Sequence, residues 1–78
     1  MAPLKTPWDA GQVLDAYFLE VRAKLLEIAA TLDRVDRGAD RAALAGDARL
    51  LFITRALAVL EGDGPDRAER IQRLYSKE

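Results

Sequence analysis

The chain has 78 residues, half of them apolar and 32% charged, with 12 Lys and Arg against 13 Asp and Glu. This size sets a ceiling of one domain, and a monomer so small buries only about 60% of the surface its unfolded chain exposes, which makes it marginally stable. The absence of Cys and His removes disulfides, thiolate chemistry, the commonest zinc ligands and the commonest general base.

Ala occurs 14 times and Leu nearly as often, while β-branched and aromatic residues are few. That bias favours helix over strand. A net charge of −1 with a pI near 5.4 supplies no bulk attraction to nucleic acid or an anionic membrane, so neither is expected as a partner. No apolar stretch reaches the roughly 18 residues of a membrane span, and Met1 to Pro7 lack the apolar segment of a signal peptide. The expected location is therefore cytoplasmic. The preference for Arg over Lys, together with the Ala content, resembles proteins of high-GC bacteria, and no motif places the chain in a family.

Residues 1–6 read as an irregular leader. Thr6-Pro7-Trp8-Asp9 then reads as a helix start, with Thr6 as N-cap, Pro7 at the first helical position, Asp9 in the first turn and Trp8 anchoring that end. Leu14, Phe18, Val21, Leu25, Ile28, Leu32 and Val35 follow at spacings of four and three, an unbroken heptad stripe. Aromatic or γ-branched residues take one heptad position and mostly β-branched ones the other, which disfavours a simple parallel dimer relative to bundle-type packing. A second row, Leu19, Ala23, Leu26 and Ala30, projects to nearly the opposite side at about 100° per residue. The predicted helix spans about 7–36 and ends before Gly38.

Arg37 to Asp40 forms a short connection, with Asp40 as the expected N-cap of a second helix over about 40–61. Gly46 is a weak point in it, where Asp47 can start a fresh turn. Leu50, Ile53, Leu57 and Leu60 form the stripe of this most apolar segment. Glu61-Gly62-Asp63-Gly64-Pro65 is the clearest loop signal, and Pro65 is expected to open a third helix over about 65–76. Its narrow apolar face is Ala68, Ile71, Leu74 and Tyr75, flanked by Arg67, Arg70, Arg73 and Lys77. The chain ends within a turn of this helix, which leaves room for a longer natural protein.

Short loops make consecutive helices antiparallel neighbours. The expected fold is all-α, a long antiparallel helical hairpin plus a short third helix in up-down-up order, within one helical domain spanning 1–78. The third helix is too short to cover both rows of the first. The expected remedy is a homodimer with a four-helix core, two-fold closure being the commonest assembly. The expected interface residues are Leu19, Ala23, Leu26, Ala30, Leu50, Ile53, Arg55 and Leu57, and an unidentified protein partner is the other way to cover them.

Little points to catalysis or cofactors. Asp33, Asp36, Asp40 and Asp47 cluster near the first connection and suit a hard cation in principle, but Arg34, Arg37 and Arg41 follow the first three and offset their charge. The chain lacks an EF-hand loop, the Glu-x-x-His motif of di-iron bundles and a phosphate-cradling glycine loop. Trp8, Tyr17, Phe18 and Tyr75 read as core aromatics rather than a ligand pocket. The expectation is no enzyme, no metal and no cofactor. Arg55 stands out inside an apolar segment, where it extends its head to solvent or pairs with an acid on the first helix, the sharper reading being an interfacial ion pair with Glu20 or Glu27 that fixes helix register. The role that follows is a self-associating interaction module, with a small ligand- or divalent-metal-binding bundle as the alternative.

Overall fold

The computed structural model describes residues 8–76, and among them there are three α-helices and no strand. α1 is Ala10–Arg37, α2 is Ala48–Glu61 and α3 is Arg67–Ser76, with one turn of 3-10 helix at Arg41–Leu44. The chain divides into two compact units, one ending at Ala39 and one beginning at Asp40. The all-helical expectation therefore stands, while each of the three predicted helix boundaries shifts for a local reason.

In the first unit, α1 is capped by Asp9 and not by Thr6, which with Pro7 lies outside the described residues. The Asp9 carboxylate accepts from the Gln12 backbone N–H at 2.8 Å, and the Asp9 N–H donates to the Gln12 side-chain oxygen at 2.9 Å. This reciprocal capping box satisfies two groups that a helix start leaves without partners, so Asp9 displaces any upstream cap. Trp8, one residue before the cap, sets its ring centroid 6.5 Å from that of Tyr17. At the far end Gly38 stops the helix in an extended conformation, its N–H donating to the Val35 carbonyl at 3.1 Å.

The second unit corrects the single helix expected over 40–61. Asp40 has φ 60° and makes no side-chain cap. The segment Arg41–Leu44 forms only a 3-10 turn before the chain reverses through Gly46, at φ 82°. A residue with a Cβ enters that left-handed region at a cost, so glycine is the natural pivot. Asp47 then caps α2, accepting from the Arg49 N–H at 2.8 Å.

The third helix begins at Arg67 rather than Pro65, because a cis Gly64–Pro65 bond and Asp66 at φ 66° precede it. The rings of Phe52 and Tyr75 meet edge to face with centroids 5.5 Å apart. That contact sets the last turn of α3 beside the first turns of α2, so the two helices form an antiparallel hairpin. Half-buried positions recur along α2 at Phe52, Ala56 and Val59, a spacing of four and three that defines one helical stripe. The predicted stripe shares only part of this coverage: Leu50 and Ile53 are half-buried, whereas Leu57 and Leu60 are exposed. On α3, Ile71 and Leu74 are half-buried, but Ala68 and Tyr75 are exposed.

Candidate functional site: exposed apolar rows and an arginine-lined groove

No described residue of the chain is fully buried, and every residue of α1 is exposed except Leu32 and Val35. The heptad stripe is open along most of its length, from Leu14 at 63% exposure to Ile28 at 38%. In the second row Leu19 is 74% exposed and Leu26 54%, with Ala23 and Ala30 open beside them. Of the other four interface candidates, Arg55 and Leu57 are exposed and Leu50 and Ile53 half-buried. Continuous apolar surface of this kind is uncommon on soluble monomers and marks interaction sites.

The charged strips of α1 are exposed to solvent. Glu20 and Lys24 lie one turn apart and meet at 2.9 Å, a contact worth a few tenths of a kcal/mol on an exposed helix. The hydrogen bond that Lys24 donates to the Glu20 carboxylate, and secondarily the charge of that carboxylate, raises Lys24 above the usual lysine value. On α3, Arg73 pairs with Glu69 at 2.7 Å.

The other arginines of α3 serve the loop before it. Arg67 donates to the Gly62 carbonyl through Nε at 3.2 Å and Nη2 at 2.7 Å, while Arg70 Nη1 donates to the carbonyls of Asp63 and Pro65, each at 3.2 Å. Two members of the basic row are thus tied to backbone oxygens, and Lys77 lies outside the described residues. Spacing on the helix revealed the row; its use as a loop clasp depends on where the loop returns.

Asp47 is the most perturbed acid. Its carboxylate holds the Arg49 guanidinium in a fork, Nε to Oδ1 at 3.0 Å and Nη2 to Oδ2 at 2.9 Å, besides accepting from the Arg49 backbone. The side-chain hydrogen bond first, and the backbone one second, lower its pKa to about 2. The sequence placed Asp47 in an acidic cluster with Asp33, Asp36 and Asp40, but among the described residues no three acidic side chains come together to hold a metal ion. Trp8, Tyr17, Phe18 and Tyr75, expected as core aromatics, are all exposed instead, with Trp8 beside Tyr17 in the first unit and Tyr75 beside Phe52 in the second.

The second unit also contains an open groove of about 690 Å³ beside the α2–α3 hairpin. Phe52 and Leu51 line it from α2, Leu74 and Tyr75 from α3, and its charged lining residues are Arg49 and Arg55. Arg55 is exposed and has no carboxylate partner among the described residues. Beyond the apolar rows and this groove, no described helix is long and apolar enough to cross a membrane.

No protein-family model, no curated protein and no solved structure matches the chain.

Proposed function

We propose that this protein is a self-associating interaction module, a homodimer whose assembly surface is the pair of apolar rows on α1. The observation that carries it is the combination of an exposed Leu19–Ala23–Leu26–Ala30 row with the absence of any fully buried described residue. A helix of 28 residues that is apolar on two sides gains most of its stability in water from packing, so a surface of this kind calls for a cover. A second copy brings identical rows and closes with two-fold symmetry, each copy giving its two longest helices to a four-helix core. Sedimentation equilibrium at tens of micromolar tests this. The expected mass is twice 8.6 kDa, and a clean monomer across that range overturns the proposal.

A further inference from the structure

α2 is apolar nearly all round, its 14 residues carrying charge only at Arg49, Arg55 and Glu61. A helix of this kind belongs inside a core, yet only the stripe at Phe52, Ala56 and Val59 lies beside α3. Leu50, Ile53, Leu57 and Leu60 form a second strip about 80° wide at 100° per residue. It is open at Leu57 and Leu60, 37% and 43% exposed, and half-buried at Leu50 and Ile53. By the same projection Arg55 falls on the far side of the helix, while Arg49 and Glu61 border the strip at opposite ends and opposite edges.

Flanking charge decides which apolar row can meet its own copy across an antiparallel pair. For the heptad stripe of α1, the registers that set Leu25 opposite Val21 or opposite Ile28 both bring Lys24 beside Lys24 and Asp15 beside Asp36. For its second row, setting Leu19 opposite Ala30 and Ala23 opposite Leu26 brings Glu20 beside Glu27. The strip of α2 avoids such clashes. With Leu50 opposite Leu60 and Ile53 opposite Leu57, the flanks that meet are Thr54 with Thr54 and Ala56 with Ala56. The ends are complementary, because the positive N-terminal pole of each helix lies beside the negative C-terminal pole of the other. That C-terminal pole carries Glu61 and no basic residue in its last turn. The acid nearest it on the other copy is Asp47, whose charge Arg49 already holds.

We propose that the two-fold axis of the dimer crosses α2, whose Leu50, Ile53, Leu57 and Leu60 pack antiparallel against the same residues of a second copy. This rests on the self-association proposed above and names the helix that meets itself within the four-helix core. The contact is one strip facing itself, so its closure as a dimer is a property of α2 alone.

The chain has no cysteine, so one introduced cysteine is its only thiol. The test uses the full chain as Thr54→Cys, Arg55→Cys and Glu61→Cys, with circular dichroism verifying that each variant is helical; all three positions are exposed. Each is treated with a bifunctional thiol reagent spanning about 10 Å, the interaxial distance of packed helices. Thr54 lies next to the proposed axis, and Arg55 is level with it on the far side of the helix. Glu61 shares the border of Thr54 but is separated from its counterpart by roughly 18 Å along the pair. At tens of micromolar, Thr54→Cys should form covalent dimer at least about tenfold faster than the other two, since only its thiols are held together at high effective concentration. Arg55→Cys reacting as fast as Thr54→Cys overturns the choice of face, and Glu61→Cys doing so overturns the antiparallel sense. No fast reaction at Thr54 in a chain that sediments as a dimer overturns the contact and leaves self-association standing. A monomeric wild type removes self-association itself.

Discussion

Asp47 does two jobs with one carboxylate, closing the N-terminus of α2 and holding Arg49. Both depend on its negative charge, and its pKa is lowered from 3.8 to about 2. Because the folded value lies below the unfolded one, the unfolded chain binds this proton more readily. The stabilisation is complete above about pH 4 and is lost as the pH falls through about 2. Asp47→Asn keeps a capping oxygen but cannot titrate. Thermal melting of the two proteins should show wild type ahead at pH 5 and the gap closing toward pH 2, whereas a gap constant with pH would show that the carboxylate charge contributes nothing. Asp47 was legible as a restart point because it follows a glycine and is a good capping residue. Its fork with Arg49 was not, since a spacing of two residues forms no helical pair and works here only because Asp47 lies outside the helix.

At the scale of the element, the breaks are set by one or two residues whose backbone departs from helix. The segment Arg41–Leu44 and Ala48–Glu61 are separated by Gly46 at φ 82°, although Arg41-Ala42-Ala43-Leu44-Ala45 has high helix propensity throughout. Propensity alone extends a helix through this region, and that is why a continuous second helix was expected. A Cβ at Gly46 would meet nothing within 4 Å, so the resistance to substitution there is purely conformational. Gly46→Ala should destabilise the second unit by roughly 1–2 kcal/mol in urea unfolding, and an unchanged midpoint would show that the left-handed pivot is dispensable. The capping box at Asp9 and Gln12 follows the same logic in reverse. A Gln three residues after an Asp is a readable signal, but Thr6-Pro7 offered an equally good local start, and only the hydrogen bonds of Asp9 decide between them.

For the whole molecule, the governing quantity is apolar surface that its described residues leave uncovered. If a second copy covers it, unfolding is coupled to dissociation and apparent stability follows protein concentration. Raising the concentration about a hundredfold should therefore raise Tm by several degrees. A Tm independent of concentration would separate folding from assembly and count against an obligate dimer.

Helix content, the two rows of α1 and the loop at Gly62 to Pro65 were all written in local order, because period and propensity act over a few residues and require no distant partner. Three features were decided only in three dimensions. They are the reversal at Gly46, the clasp of Arg67 and Arg70 on loop carbonyls, and the stripe of α2 that is half-covered. Each depends on where the chain returns after a turn, and several residues of almost equal local preference compete for that outcome. Period alone made Leu50, Ile53, Leu57 and Leu60 as good a stripe as Phe52, Ala56 and Val59. The meeting of Phe52 with Tyr75 selects the face beside α3, because an antiparallel hairpin brings the end of α3 to the start of α2.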